Sequence, residues 1–139
     1  MKNKQVKFLK QLLETPSATG TEIAVAELVR ERLAGTADEI QTDVMGSVHA
    51  RLSGPGVAPS PMLSAHLDEI GFLITGHEEG FLRFAPLGGV DPRMLPDREL
   101  TILTQPPVVG VVSCLPPHIQ SREDMDQSVA LQDLYLDGG

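Results

Sequence analysis

At 139 residues the chain has the length of one ordinary domain, and a hydrophobic share of 41% is enough to bury a core. A net charge of −8 argues against a nucleic-acid binder, which needs a basic stripe, and against docking on an anionic membrane surface. With four Phe, one Tyr and no Trp, any core must rest on Leu, Val, Ile and Met.

The charged start, Met1 to Gln5, leads into an amphipathic pattern and not into the apolar block of a signal peptide. No window reaches the roughly 18 apolar residues of a membrane span, so cytoplasmic residence is the default expectation. The first predicted element is a helix over 4–14, in which Val6, Leu9 and Leu13, with Phe8 and Leu12 beside them, form an apolar stripe. Thr15-Pro16 ends it, because a residue before proline is pushed out of the helical region. Thr19-Gly20-Thr21-Glu22 then reads as a capping box, the Thr19 hydroxyl meeting the N–H of Glu22 and the Glu22 carboxylate reaching back. The helix it opens is predicted to run to about Ala34, with Gly35 as its C-terminal cap. Ile23, Ala26, Val29 and Leu33 line its apolar stripe, widened by Val25 and Leu28.

After Gly35 the period changes towards two. Residues 39–44 and 47–52 read as a strand pair across a Met45-Gly46 turn, and 53–60 as a loop rich in Gly, Pro and Ser. The apolar run 61–66 is predicted to be a strand covered on both faces, as in the central sheet of an α/β protein. At its end stand His66 and Asp68, two residues apart and so on one face of a strand. A metal-bound imidazole needs its second ring nitrogen held by an acceptor, commonly a carboxylate. His66 is therefore the candidate metal ligand and Asp68 its orienter, although a His-x-Asp triplet alone is a weak signal.

Beyond Gly71 the texture is all-β. Residues 72–75 and 81–84 flank a predicted hairpin turn at 76–80, and 99–104 and 108–114 flank a second around Gln105-Pro106-Pro107. A short helical turn is expected at 121–126 and a last strand at 134–137. Short strands at regular spacing suggest a small barrel. Gly88-Gly89-Val90-Asp91-Pro92-Arg93 reads as a tight turn in which Asp91 and Arg93 bond each other or the backbone. It lacks the Lys-Ser/Thr pair of a phosphate loop. Cys114, the lone cysteine, ends an apolar run and reads as a small buried hydrophobe. His49 and His77 read as surface residues. A serine-hydrolase elbow is missing, as is the Cys/His clustering of a structural zinc site.

The string AHLDEIGFLITGHEEGFLRFAPLGGVDPR over 65–93 resembles the metallo-aminopeptidases of metallopeptidase family forty-two, the glutamyl and tetrahedral, self-compartmentalising aminopeptidases. The resemblance extends backward through the loop 15–20 and Thr42-Asp43-Val44-Met45-Gly46-Ser47. It extends forward through Gly110-Val111-Val112, Pro116-Pro117-His118 and 133–137, and so covers nearly the whole chain. It implies an α/β fold class: the N-terminal part of a di-metal aminopeptidase α/β domain over 1–70, then an incomplete inserted β-barrel (dimerisation) domain over 71–139. It implies two divalent metal ions, zinc or cobalt, peptide substrates hydrolysed at the N-terminus, and a homo-oligomer formed through the barrel region, with no nucleic acid and no membrane as partners. His66 matches the first metal ligand. Glu69 does not match the catalytic base, and His118 matches a structural position in the barrel region. The remaining ligands and the catalytic Glu lie, in the family, downstream of the matched region. The chain is thus expected to be an opening portion that does not bind metal tightly by itself. The alternative is a non-catalytic truncated fragment or assembly module.

Overall fold

The computed structural model describes residues 3–56, 59–116 and 129–139. The chain divides into two compact units, Met1–Glu69 and Ile70–Gly139, and its secondary structure is mixed α/β.

In the first unit, α1 spans Asn3–Glu14. Its half-buried face is Phe8 and Leu12, one helical turn apart, while Val6, Leu9 and Leu13 of the expected stripe are exposed. The Arg32 guanidinium lies 5.5 Å from the centre of the Phe8 ring, joining α1 to the next helix by a cation–π contact. At the C-terminal end, the N–H and hydroxyl of Thr15 both donate to the Gln11 carbonyl, at 3.1 and 2.6 Å, before Pro16 stops the helix.

Helix α2, Ile23–Leu33, begins later than a cap at Thr19 would place it. The capping box does not form. Thr21 closes a local turn instead, its N–H and hydroxyl reaching the Ala18 carbonyl at 2.8 and 2.7 Å. The Glu22 carboxylate accepts from the Gly20 N–H at 2.9 Å, and the Thr19 hydroxyl is left for a partner far away in the chain. Val25 and Ala26 are the buried residues of α2, whereas Ile23 faces solvent. Gly35 is not a left-handed cap either. Ala34 stays right-handed, and the N–H groups of Thr36 and Ala37 both satisfy the Leu33 carbonyl at 2.9 Å.

The strand pair forms as expected but shorter, β1 being Glu39–Thr42 and β2 Val48–Arg51, antiparallel with Gln41 opposite His49. Asp43 leaves the strand to organise the turn. Its Oδ1 accepts from the N–H groups of Met45 and Ser47, both at 2.9 Å, and Gly46 takes φ +86°, where a side chain is disfavoured. Residues 61–66 correct an expectation: they form no strand, and Met62 and Leu63 are 88% and 97% exposed. A strand in a central sheet needs hydrogen-bonded neighbours on its edges. Among the described residues the backbone here finds one bridge, Ala18 to Glu69, just past the apolar run.

The second unit is a five-stranded antiparallel sheet in the order β3-β4-β7-β6-β5, with β3 Gly71–Glu78, β4 Phe81–Leu87, β5 Glu99–Ile102, β6 Val108–Cys114 and β7 Leu134–Asp137. The first hairpin turn is tighter than expected. Both strands run to a two-residue turn, Glu79 at φ 50° and Gly80 at φ 92°, so that His77 sits on β3 opposite Leu82 and not in the turn. One face carries the core: Phe84, Leu95, Val112, Leu134 and Leu136, with Phe72 edge-on to Phe84 at 5.1 Å. Val112 pairs with Leu136 and Cys114 with Leu134, so strict alternation along β6 and β7 places all four on the inner face. Gly110 is required there, since a Cβ would come within 2.8 Å of Leu136 Cδ1. Arg83 holds the opposite face together. It donates to the Glu78 carboxylate at 3.0 Å, the Gln132 carbonyl at 2.9 Å and the Tyr135 hydroxyl at 3.1 Å.

Cys114 is half-buried against the core. The turn at 88–93 contains one 3₁₀ turn, Pro92–Met94, capped by Asp91, whose Oδ1 accepts from the Arg93 N–H at 3.0 Å. The helical turn expected at 121–126, and His118, lie outside the described residues.

Candidate functional site

His66 and Asp68 meet without a strand to carry them. His66 Nδ1 lies 2.8 Å from the Asp68 carbonyl oxygen and 3.1 Å from its carboxylate Oδ1. Both oxygens only accept, so Nδ1 carries the proton, and in the neutral ring Nε2 keeps its lone pair. The His66 side chain is 84% exposed. This is the electronic arrangement of an imidazole ready to bind a cation through Nε2.

What holds the pair is a clasp to the loop ahead of α2. The Glu69 N–H donates to the Ser17 carbonyl at 2.9 Å, and the Ser17 N–H donates to the Glu69 carboxylate at 3.1 Å. Ser17 is 3% exposed, the most deeply buried polar residue in the described structure. Two residues after Ser17 and one before Glu69, the Thr19 hydroxyl donates to Asp68 Oδ2 at 2.8 Å. That bond, and then the bond to His66, hold the Asp68 carboxyl below the usual carboxylate range. Glu69 has its carboxylate committed to a backbone N–H, a structural task. Ser17 and Thr19 escaped the sequence reading because their partners lie 52 and 49 residues away. The local pattern pointed instead to a helix cap.

Two other pairs of titratable side chains are bonded locally within their own segments. His49 Nε2 meets Asp43 Oδ2 at 3.1 Å, and that bond heads the causes lowering the Asp43 carboxyl. Arg93 and Asp91 form a two-pronged pair, closest at 2.6 Å, that lowers the Asp91 carboxyl. Among the described residues no group of three or more His, Cys, Asp and Glu is placed to hold a metal ion. Among the described residues of this site, His66 Nε2 could fill one coordination position, while the Asp68 carboxylate is engaged by His66 and Thr19.

Comparison with known proteins places these features. The chain is 37% identical over 123 residues to the lysyl aminopeptidase of Pyrococcus furiosus, an alignment covering 86% of this chain and 35% of that enzyme. A TET aminopeptidase from a marine-sediment archaeon of the Thaumarchaeota superposes with a TM-score of 0.91 at 29% identity, covering 99% of this chain and 38% of that one. The TET1 peptidase of Pyrococcus horikoshii, which can assemble into a tetrahedron or a large octahedral shell, gives 0.77 at 32% identity, covering 96% and 40%. The chain thus spans between a third and two fifths of the length of the relatives it matches. The pattern of the M42 glutamyl aminopeptidases matches residues 46–139, well over half of the chain. That stretch includes His66, Asp68 and the whole five-stranded sheet, and on it the chain belongs to the M42 glutamyl aminopeptidase family.

Proposed function

We propose that this chain contributes the first metal ligand, His66, and its orienting carboxylate, Asp68, to a co-catalytic di-metal aminopeptidase that removes N-terminal residues from peptides. The observation that carries the reading is the imidazole itself: Nδ1 tied down by Asp68 at 2.8 and 3.1 Å, and Nε2 free on an exposed ring. Two divalent cations, zinc or cobalt, would supply Lewis acidity at the scissile carbonyl and lower the pKa of an attacking water. The part played by this chain is narrower. His66 presents one neutral nitrogen, and Asp68 fixes the tautomer.

The same reading takes 1–70 as part of the α/β catalytic domain and 71–139 as part of an inserted β-barrel through which copies associate. An antiparallel sheet whose edge strands among the described residues are β3 and β5 supports it, as do the assemblies formed by the Pyrococcus horikoshii relative. Cytoplasmic residence is proposed on the same footing; among the described residues no helix is long and apolar enough to cross a membrane. A second reading, a non-catalytic assembly module, is favoured by the single ligand visible among the described residues.

Release of coumarin from aminoacyl-coumarin substrates decides between them. With zinc or cobalt present, the 139-residue chain alone should show no turnover. Supplemented with the remaining portion of a related enzyme, it should turn over in a way that His66→Ala abolishes. Restored turnover indifferent to His66→Ala would defeat the metal-ligand reading, and no restoration would favour the assembly module.

A further inference from the structure

We propose that Thr19 is a positioning residue for His66, acting through Asp68: its hydroxyl holds the carboxylate turned so that one oxygen serves the threonine and the other serves the imidazole. This rests on the reading of His66 as a metal ligand. The two carboxylate oxygens have separate employment, Oδ2 on the Thr19 hydroxyl at 2.8 Å and Oδ1 on His66 Nδ1 at 3.1 Å. A carboxylate anchored at both oxygens by different donors cannot swing about its terminal bond without losing one of them.

Thr19 is itself held in place. Two residues before it, Ser17 exchanges two hydrogen bonds with Glu69, at 2.9 and 3.1 Å, and the intervening Ala18 forms a parallel bridge with Glu69. Immediately after it Gly20 takes φ +92°, a conformation that sends the chain away towards α2. The loop is therefore registered on the Asp68-Glu69 backbone, with the Thr19 hydroxyl delivered to Asp68 and withheld from the helix. Thr21, two residues on, bonds only within the loop, to the Ala18 carbonyl at 2.7 Å, and so makes an internal control.

The labelled 139-residue chain, metal-free and at mildly alkaline pH where imidazole is neutral, gives two readouts by nuclear magnetic resonance. Side-chain couplings report the Asp68 rotamer, and long-range proton–nitrogen correlations report the His66 tautomer. The parent should show one Asp68 rotamer and the Nδ1–H form. Thr19→Val, which keeps the shape and removes the hydroxyl, should average the Asp68 rotamer. It should also lower the Nδ1–H to Nε2–H ratio severalfold, up to about fivefold, the worth of one hydrogen bond. The Asp68 carbonyl still accepts from Nδ1, which caps the effect. Thr19→Ser should restore both readouts, and Thr21→Val should leave both as in the parent. The proposal is overturned if Thr19→Val matches the parent, if Thr19→Ser fails to restore, or if Thr21→Val disturbs the pair as much. None of these readouts involves metal or turnover, so they stand apart from the His66→Ala assay that tests the aminopeptidase reading itself.

Discussion

Asp91 and Arg93 show what one pair of side chains contributes to a turn. Asp91 caps the 3₁₀ turn through the Arg93 N–H and grips the Arg93 guanidinium at 2.6 Å, and both bonds lower its carboxyl from the ordinary 3.8. A carboxyl with a lowered folded-state pKa stabilises the fold fully above its unfolded value. The contribution is lost as pH falls through the folded value. Asp91→Asn should therefore lower the thermal midpoint slightly at neutral pH and not below about pH 2, the two melting curves converging as acid is added. Glu79 offers the opposite opportunity. It holds φ 50°, a left-handed conformation that a long side chain tolerates poorly, directly before Gly80 at φ 92°. Glu79→Asn makes the Asn-Gly pair this hairpin turn prefers, and should raise stability by about 0.5 kcal/mol in denaturant titration. At this scale the sequence was partly readable. Asp91 with Arg93, and His66 with Asp68, are two residues apart and visible as pairs. Thr19 was misassigned because a threonine three residues before a glutamate satisfies the helix-cap pattern equally well.

Among elements, β6 and β7 decide the stability of the second unit. Leu134 and Val112 are 1% and 0% exposed, and Leu134→Ala should cost about 2–5 kcal/mol. Gly110 carries a subtler constraint, because an added Cβ would meet Leu136 Cδ1 at 2.8 Å and the Asp137 carbonyl oxygen at 3.0 Å. Gly110→Ala should cost about 1–3 kcal/mol through overpacking. Leu136→Ala should cost less in the Gly110→Ala background than in the parent, a coupling that a double-mutant cycle in denaturant measures. The alternating strands were legible because their apolar positions repeat every second residue around Gly and Pro breaks. The apolar run 61–66 misled for a definable reason: continuous hydrophobicity reports eventual cover on both faces, and says nothing of whether hydrogen-bonding neighbours are at hand. In α1 Leu9 and Leu13 fit the helical period as well as Phe8 and Leu12 do, yet it is the latter pair that is half-buried.

For the molecule as a whole, burial is unevenly shared. The first unit buries Val25, Ala26 and Ser17, and no residue of α1, whereas the second has a contiguous core. Hydrogen exchange should accordingly be fast in α1 and over 61–66 and slowest along β6 and β7. Equal protection in both would contradict this ordering. Self-association should follow the sheet edges. The apolar run of β6 is covered between β7 and β5, and among the described residues the edges are β3 and the four-residue β5. Strand β3 is eight residues long, with Leu73 57% exposed and Ile74 39%, and is the longer template for pairing between copies. Light scattering should give a mass above 15.0 kDa that falls when Leu73→Lys is introduced. A parent mass of one chain would remove the argument.

The order of the sheet holds one more consequence. Strand β7 meets β6 at four paired positions but meets β4 at one, Leu82 opposite Leu136. The sheet is therefore two ladders stitched along a seam, and what closes the seam is the oily contact of Phe84, Leu82 and Leu136 more than backbone bonding. Oil-like adhesion weakens on cooling. The β3–β4 leaf should thus be the first part of this sheet to loosen near freezing, a hinge that tightens with warmth.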